Sequence, residues 1–213
     1  MKTRIPLILL VLTILTMACS LPSLGKKDTP IPPTPTPESN MQLYYGTGMQ
    51  IMLPNSYVAE DIDSALPTII ATIKDFVGGE SGPLSGLVDS IEGNIGWYGY
   101  DGDNAAVYPT RLIILRNKAF SKLPISMITL GLEQVLGGDS ALVDSDSIRL
   151  GGRDITRMSY SKDSNAWVAY LFKEGDYLWI TLYITTPANL AAEMDDYEIS
   201  VGSIQIDAVQ PTP

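Results

Sequence analysis

The chain of 213 residues contains no histidine. That removes Ser-His-Asp and Cys-His nucleophile machinery, and with them every metal centre built on imidazole ligands. There is one cysteine, Cys19, so no disulfide closes within the chain. The N-terminal apolar run, residues 5–17, is 13 residues long, well short of the roughly 20 that span a bilayer. Basic charge is scarce: 14 Lys and Arg stand against 24 Asp and Glu, a net charge of −10. A nucleic-acid partner is excluded on that ground, because binding phosphate needs a basic footprint. No G-x-S-x-G is present, since Gly79-Glu80-Ser81-Gly82 misplaces its second glycine, and no Gly-rich loop ends in Gly-Lys-Ser/Thr. No catalytic residue, metal site or cofactor is therefore expected. Carboxylate chemistry alone stays open, because two acids about 5 to 9 Å apart suffice for it and sequence does not show that distance.

What is present begins with Lys2 and Arg4, the apolar run and the small Ala18 just before Cys19. A charged start, a short apolar core and a small residue at the cut form an export signal, residues 1–18. The Ala18-Cys19 junction resembles the lipobox of bacterial lipoproteins, with Thr16 standing where that box usually has Leu. The resemblance implies a diacylglycerol thioether on Cys19 and a mature chain that starts there, anchored on the extracytoplasmic face of a cell membrane. The alternative is an ordinary secretory signal followed by a chance cysteine. Residues 19–40 carry six prolines, at 22, 30, 32, 33, 35 and 37. They cannot pack as helix or internal strand, and in polyproline conformation they reach on the order of 60 Å as a semi-rigid stalk. A single domain over 41–206 and a disordered tail over 207–213 complete the organisation. Loss of Lys2 and Arg4 leaves 12 basic against 24 acidic residues, a mature charge of −12.

Within the domain, period-two alternation predicts strands at 49–53, 95–100, 110–117, 147–150, 154–161, 166–173, 177–185 and 204–206. Helical spacing of apolar residues predicts helices at 61–77, 83–92, 123–136 and from Pro187 to about 200. Asp63 or Ser64 is the expected cap of the first helix, and Thr186 caps the last with Pro187 opening it. Short turns join the four strands between 147 and 185, which requires antiparallel neighbours. In the strand 177–185, Leu178, Ile180, Leu182 and Ile184 share one face, while Tyr177, Trp179, Tyr183 and two threonines take the other. A sheet with one wet side would alternate with polar residues. The class is thus α+β, an antiparallel sheet of about six strands covered by helices on both faces, an α/β/α sandwich.

This order of elements resembles the PsbP-like family over roughly 48–206. The resemblance is carried by the strand ending Leu53-Pro54, the Gly151-Gly152-Arg153 turn, and the closing helix with Ser203-Ile204. It implies a domain that binds other proteins or assemblies without catalysis. A small-molecule or cation receptor feeding a transporter is the alternative. Two local features bear on a site. Asp101-Gly102-Asp103-Asn104 opens like a calcium loop but lacks the later glycine and glutamate, so a hairpin turn is the expectation. Around it crowd Trp97, Tyr98, Tyr100 and Tyr108, residue types enriched at binding hot spots, with glycines at 96, 99 and 102 that let another backbone approach. These four aromatics are the candidate partner-facing patch, set against core packing as the other outcome. Arg149, Arg153 and Arg157 recur every four residues. A partly buried Arg157 would require a carboxylate partner, against a solvated edge otherwise.

Overall fold

The computed structural model describes residues 40–77, 91, 93–103, 109–136, 141–162 and 164–207. The export signal, the stalk before Asn40, Tyr108, Asn104, the predicted helix at 83–92 apart from Ile91, and the tail beyond Asp207 lie outside the described residues. No described helix is long and apolar enough to cross a membrane.

Strands β3 (Tyr57–Ala59), β4 (Ile95–Asp101), β5 (Arg111–Asn117), β6 (Ala141–Leu150), β7 (Arg153–Lys162), β8 (Asn165–Glu174) and β9 (Tyr177–Thr185) form one antiparallel sheet. Its order is β3-β4-β5-β9-β8-β7-β6. A second sheet of three strands, β1-β2-β10, joins β1 (Met41–Gly46), β2 (Met49–Pro54) and β10 (Gln205–Ile206). Three α-helices, α1 (Ile62–Val77), α2 (Ile125–Leu136) and α3 (Pro187–Gly202), and a short 3-10 helix at Phe120–Lys122 complete the described elements. The α+β class with a doubly covered antiparallel sheet is the one expected. The first predicted strand does not enlarge the main sheet, however. It pairs with β1 and β10 in the small sheet.

The period-two alternation of β9 sorts the interior into two cores. Leu178, Ile180 and Leu182 face α1 and α2, where they meet Ile69, Ile73, Ile128 and Leu132 together with Ile113 and Leu115 of β5. Trp179 and Tyr183 face the other way. There Leu112, Ile114, Tyr170 and Phe172 pack under α3, through Leu190, Tyr197 and Val201, and under β2, through Met49, Ile51 and Leu53. The second face is thus covered by a helix and a sheet side by side, which is how both apolar faces of one sheet leave water.

Local signals account for most element ends. Thr186 accepts from the Asn189 amide at 3.2 Å, and Pro187 opens α3. At α1 the cap is Asp61, not Asp63 or Ser64: its Oδ1 accepts from the Ser64 amide at 2.9 Å and the Ser64 hydroxyl at 2.7 Å. The capping carboxylate precedes the first helical residue, where the orphan amides point. Pro67 consequently sits one turn deeper than its usual place. Strand β6 begins six residues before its predicted start at 147, because Asp144, Ser145 and Asp146 read as loop. It is an edge strand, where polar residues are accommodated.

The turn Gly151-Gly152 connecting β6 to β7 has φ of +55° and +81°. A Cβ on Gly151 would lie 2.0 Å from the Gly202 carbonyl oxygen at the end of α3. The turn is therefore also the seat on which the last helix ends.

Candidate functional site

Of the four aromatics picked out in the sequence, the three within the described residues, Trp97, Tyr98 and Tyr100, do not form one surface. Trp97 and Tyr98 are each 3% exposed and belong to opposite cores. Trp97 meets the Tyr44 ring edge-on at 5.6 Å under the small sheet. Tyr98 faces the α1 side, and its hydroxyl is pushed up in pKa by burial, with Arg111 opposing and Glu60 adding. Tyr100 is half-buried, and Tyr108 lies outside the described residues. A partner-facing patch built on Trp97 and Tyr98 is thereby corrected: large apolar rings on a strand inside a doubly covered sheet go inward on both sides.

The glycines beside them do admit a close backbone, but it is the chain's own. A Cβ on Gly99 would meet the Val58 carbonyl oxygen at 2.4 Å, and one on Gly46 would meet that of Gly96 at 2.2 Å. The Thr47 amide donates to Gly96 O at 2.8 Å, and Gly102 donates to Ser56 O at 2.8 Å. These contacts dock the small sheet and β3 onto β4. The register shift between Ile95 and Trp97 lets Ile95 and Tyr98 share a face despite their spacing of three.

The Asp101 turn is a turn of the ordinary kind. Asp101 Oδ1 accepts from the Asp103 amide at 3.1 Å, an Asx arrangement. Its position matters more than its conformation. Asp101 and Asp103 line a hollow of about 150 Å³ together with Glu193, Asp196 and Tyr197 of α3. Tyr57 also lines it and is 5% exposed. The Tyr57 hydroxyl is buried and has no hydrogen-bond partner. Its pKa is raised far above the ordinary tyrosine value by burial first, then by Tyr183, Tyr197, Asp101 and Glu193.

Behind the hollow runs a line of bonded polar groups. Tyr197 donates to Glu193 Oε2 at 2.7 Å, its oxygen lies 3.5 Å from Thr110 Oγ1, and Thr110 and Thr185 hydroxyls meet at 2.8 Å. The Tyr197 ring stacks on Tyr183 at 4.1 Å, and burial raises the pKa of both. The phenols are neutral at physiological pH. The described lining thus carries four carboxylates and no basic side chain. Among the described residues no three acidic, histidine or cysteine side chains converge closely enough to hold a metal ion.

Sequence reasoning missed this site because its parts come from residues 54–57, 101–103 and 193–200. One signal was available: Glu193, Asp196 and Tyr197 are spaced i, i+3 and i+4, which puts two acids and a phenol on one helical face.

Arg157 answers the question its spacing raised. Its guanidinium is 18% exposed and bonds Asp146 twice, at 3.1 and 2.8 Å, and Glu198 at 2.5 Å, with Asp144 at 3.5 Å. Arg153 pairs with Glu174 and lies over the Phe172 ring at 5.5 Å. Arg149 stays exposed.

The fold and the hollow define an α+β domain with an acidic recess lined by the end of β4 and by α3. No protein family and no curated protein matches the sequence. Solved structures similar to it include cyanobacterial PsbP (CyanoP) from Synechocystis sp. PCC 6803, at 12% identity and TM-score 0.49, covering 81% of this chain and 95% of that one. They also include LpqN of Mycobacterium tuberculosis, described as involved in cell envelope biogenesis, at 10% identity and TM-score 0.43, covering 78% of this chain and 91% of that one.

Proposed function

We propose that the protein is a lipid-anchored extracytoplasmic lipoprotein whose domain binds a partner without catalysing a reaction. The observation that carries this reading is the N-terminal design: a short apolar run, Ala18-Cys19 and a proline-rich stalk, leading directly to a domain whose first strand starts at Met41. One thiol in an exported chain has a use as an acyl acceptor and none as half of a disulfide. Several acyl chains anchor firmly, each buried CH2 contributing about 0.8 kcal/mol. The absence of histidine supports binding over catalysis. Expression with a labelled fatty acid in a bacterial host tests the anchor. Label is expected in the wild type and not in Cys19→Ser, and the variant is expected in the soluble fraction. A wild type that never takes label refutes it.

A second reading, a receptor for a small molecule or cation, is favoured by one specific observation: the hollow lined by Asp101, Asp103, Glu193 and Asp196.

A further inference from the structure

We propose that the outer side of α2, with the lysines at its start, rests on an anionic lipid bilayer. This rests on the lipid-anchor reading, which supplies the bilayer, and goes further in naming the face of the domain that meets it.

Six large apolar side chains are exposed among the described residues, and three of them are close in sequence: Leu123 just ahead of α2, and Met127 and Leu130 on it. Leu43, Val58 and Ile199 are scattered singly, as exposed apolar residues ordinarily are. Met127 and Leu130 are 59% and 53% exposed, and a spacing of three puts them on one side of the helix. Ile128 and Leu132 of the same helix are buried in the first core. A surface helix ordinarily turns charged residues to water. Along α2 the exposed positions described are Ser126, Met127, Leu130 and Gln134, and none is charged. Water alone gives no reason for that composition.

Charge says which kind of surface fits. Lys122 is exposed immediately before Leu123, and the exposed Lys173 donates from Nζ to the Leu123 carbonyl at 2.6 Å. Lys118, four residues earlier, is already paired with Asp176 at 3.1 Å and is not counted. The two cations sit at the start of the helix, where the macrodipole favours acids. Yet α2 has no acid in its first turn, in a chain that holds 24. Helix stability therefore does not account for the lysines. Exposed apolar side chains beside lysines are what holds a helix in the interface of an anionic bilayer, apolar groups at the acyl boundary and ammonium groups on lipid phosphates. On the sheet's other face, α3 exposes Asp195 and Asp196. Acid is thus turned away from the lipid when α2 is turned toward it. Two lysines make a weak contact, but a flexible tether gives a roughly millimolar effective concentration, at which a weak contact suffices.

The test places Met127→Cys, and separately Ile199→Cys, in the acylated protein. Cys19 is the chain's one cysteine, so once it carries lipid the new thiol alone takes a nitrobenzoxadiazole dye. Each labelled protein is reconstituted into vesicles of phosphatidylcholine, alone or mixed with phosphatidylglycerol. In the mixed vesicles, emission from position 127 should shift to the blue and be quenched by a nitroxide on the lipid chains, while position 199 behaves as in water. High salt should weaken the effect. Lys122→Gln and Lys173→Gln should each lower the docked-to-free ratio about fivefold. Both lysines are exposed, so these variants should melt with the wild type. The proposal is overturned if position 127 is quenched no more than position 199, if phosphatidylcholine alone gives the same quenching, or if both lysine variants match the wild type. A blue shift without nitroxide quenching, growing with protein density on the vesicle, assigns the face to a second copy and overturns it too. Failure of the anchor shows separately, because wild-type Cys19 then takes the dye. The face is in that case read from the Cys19→Ser, Met127→Cys chain with the same mixed vesicles at millimolar lipid, where the same shift and quenching support it and their absence overturns it.

Discussion

Replacing Arg157 by Met removes the charge that holds β6, β7 and α3 together, while keeping an apolar stem of similar length. The guanidinium faces Asp146 directly across the β6–β7 ladder and reaches Glu198 on the helix. Burial by itself would lower its pKa, but Asp146 and Glu198 outweigh that and the net shift is upward. A cation with a raised folded-state pKa contributes its full stability below the unfolded value and loses it only as pH rises through the folded one. For arginine that window lies above about pH 12, so at neutral pH the whole contribution is present. Orphaning a buried charge costs about 3–5 kcal/mol, and an exposed pair contributes about 0–1 kcal/mol. The partners here are intermediate, with side chains of Glu198, Asp146 and Asp144 at 25%, 39% and 54% exposure. Solvent screening therefore brings the expected loss for Arg157→Met down to about 2–3 kcal/mol, or roughly 5–10 °C in Tm for a domain of this size. Arg157→Lys should recover only part, since an ammonium cannot fork across Asp146. Urea unfolding followed by circular dichroism gives the number. Adding Asp146→Asn and Glu198→Gln to Arg157→Met should restore about half the loss, because most of it is carboxylates left facing one another. A loss below about 0.5 kcal/mol, or no recovery on neutralising the acids, would show that the cluster is ordinary surface charge.

Gly151→Ala should cost more than about 3 kcal/mol, because it adds a clash with the α3 terminus to the positive-φ penalty. Gly152→Ala, with open space around it, should cost only about 1–2 kcal/mol. Equal losses in thermal melts would mean that the turn does not seat the helix. Burial raises the pKa of Tyr57, Tyr170, Tyr183 and Tyr197, so the stability they hold is intact below the unfolded value of about 10 and falls above it. Each then removes about 1.4 kcal/mol per pH unit, enough together to unfold a domain of ordinary stability within about one to three units. Tyrosinate absorbance for these four should appear with loss of circular dichroism, and their ionisation in a still-folded domain would refute the account.

The sequence by itself determined what depends on near neighbours. Alternation along 177–185 told that both faces of the strand are covered, since side chains on a pleated strand leave it in opposite directions. Thr186-Pro187 set the start of α3 and Gly151-Gly152 the β6–β7 turn, because capping and positive φ are settled within a few residues. Spacing also required a carboxylate partner for a partly buried Arg157. Only the tertiary structure decided which acids serve it, since Asp146 lies across a ladder and Glu198 on a helix 41 residues away. The same holds for the aromatics. Trp97 and Tyr98 are open to both a surface and a core reading until the small sheet and α1 cover their two faces. The acidic hollow was the least legible of all, because Tyr57, Asp103 and Asp196 become neighbours only when β3 pairs with β4 and α3 packs across the sheet. Local chemistry fixes elements and their ends, while a site made by long-range contacts exists only once sheet order and helix docking bring its walls together.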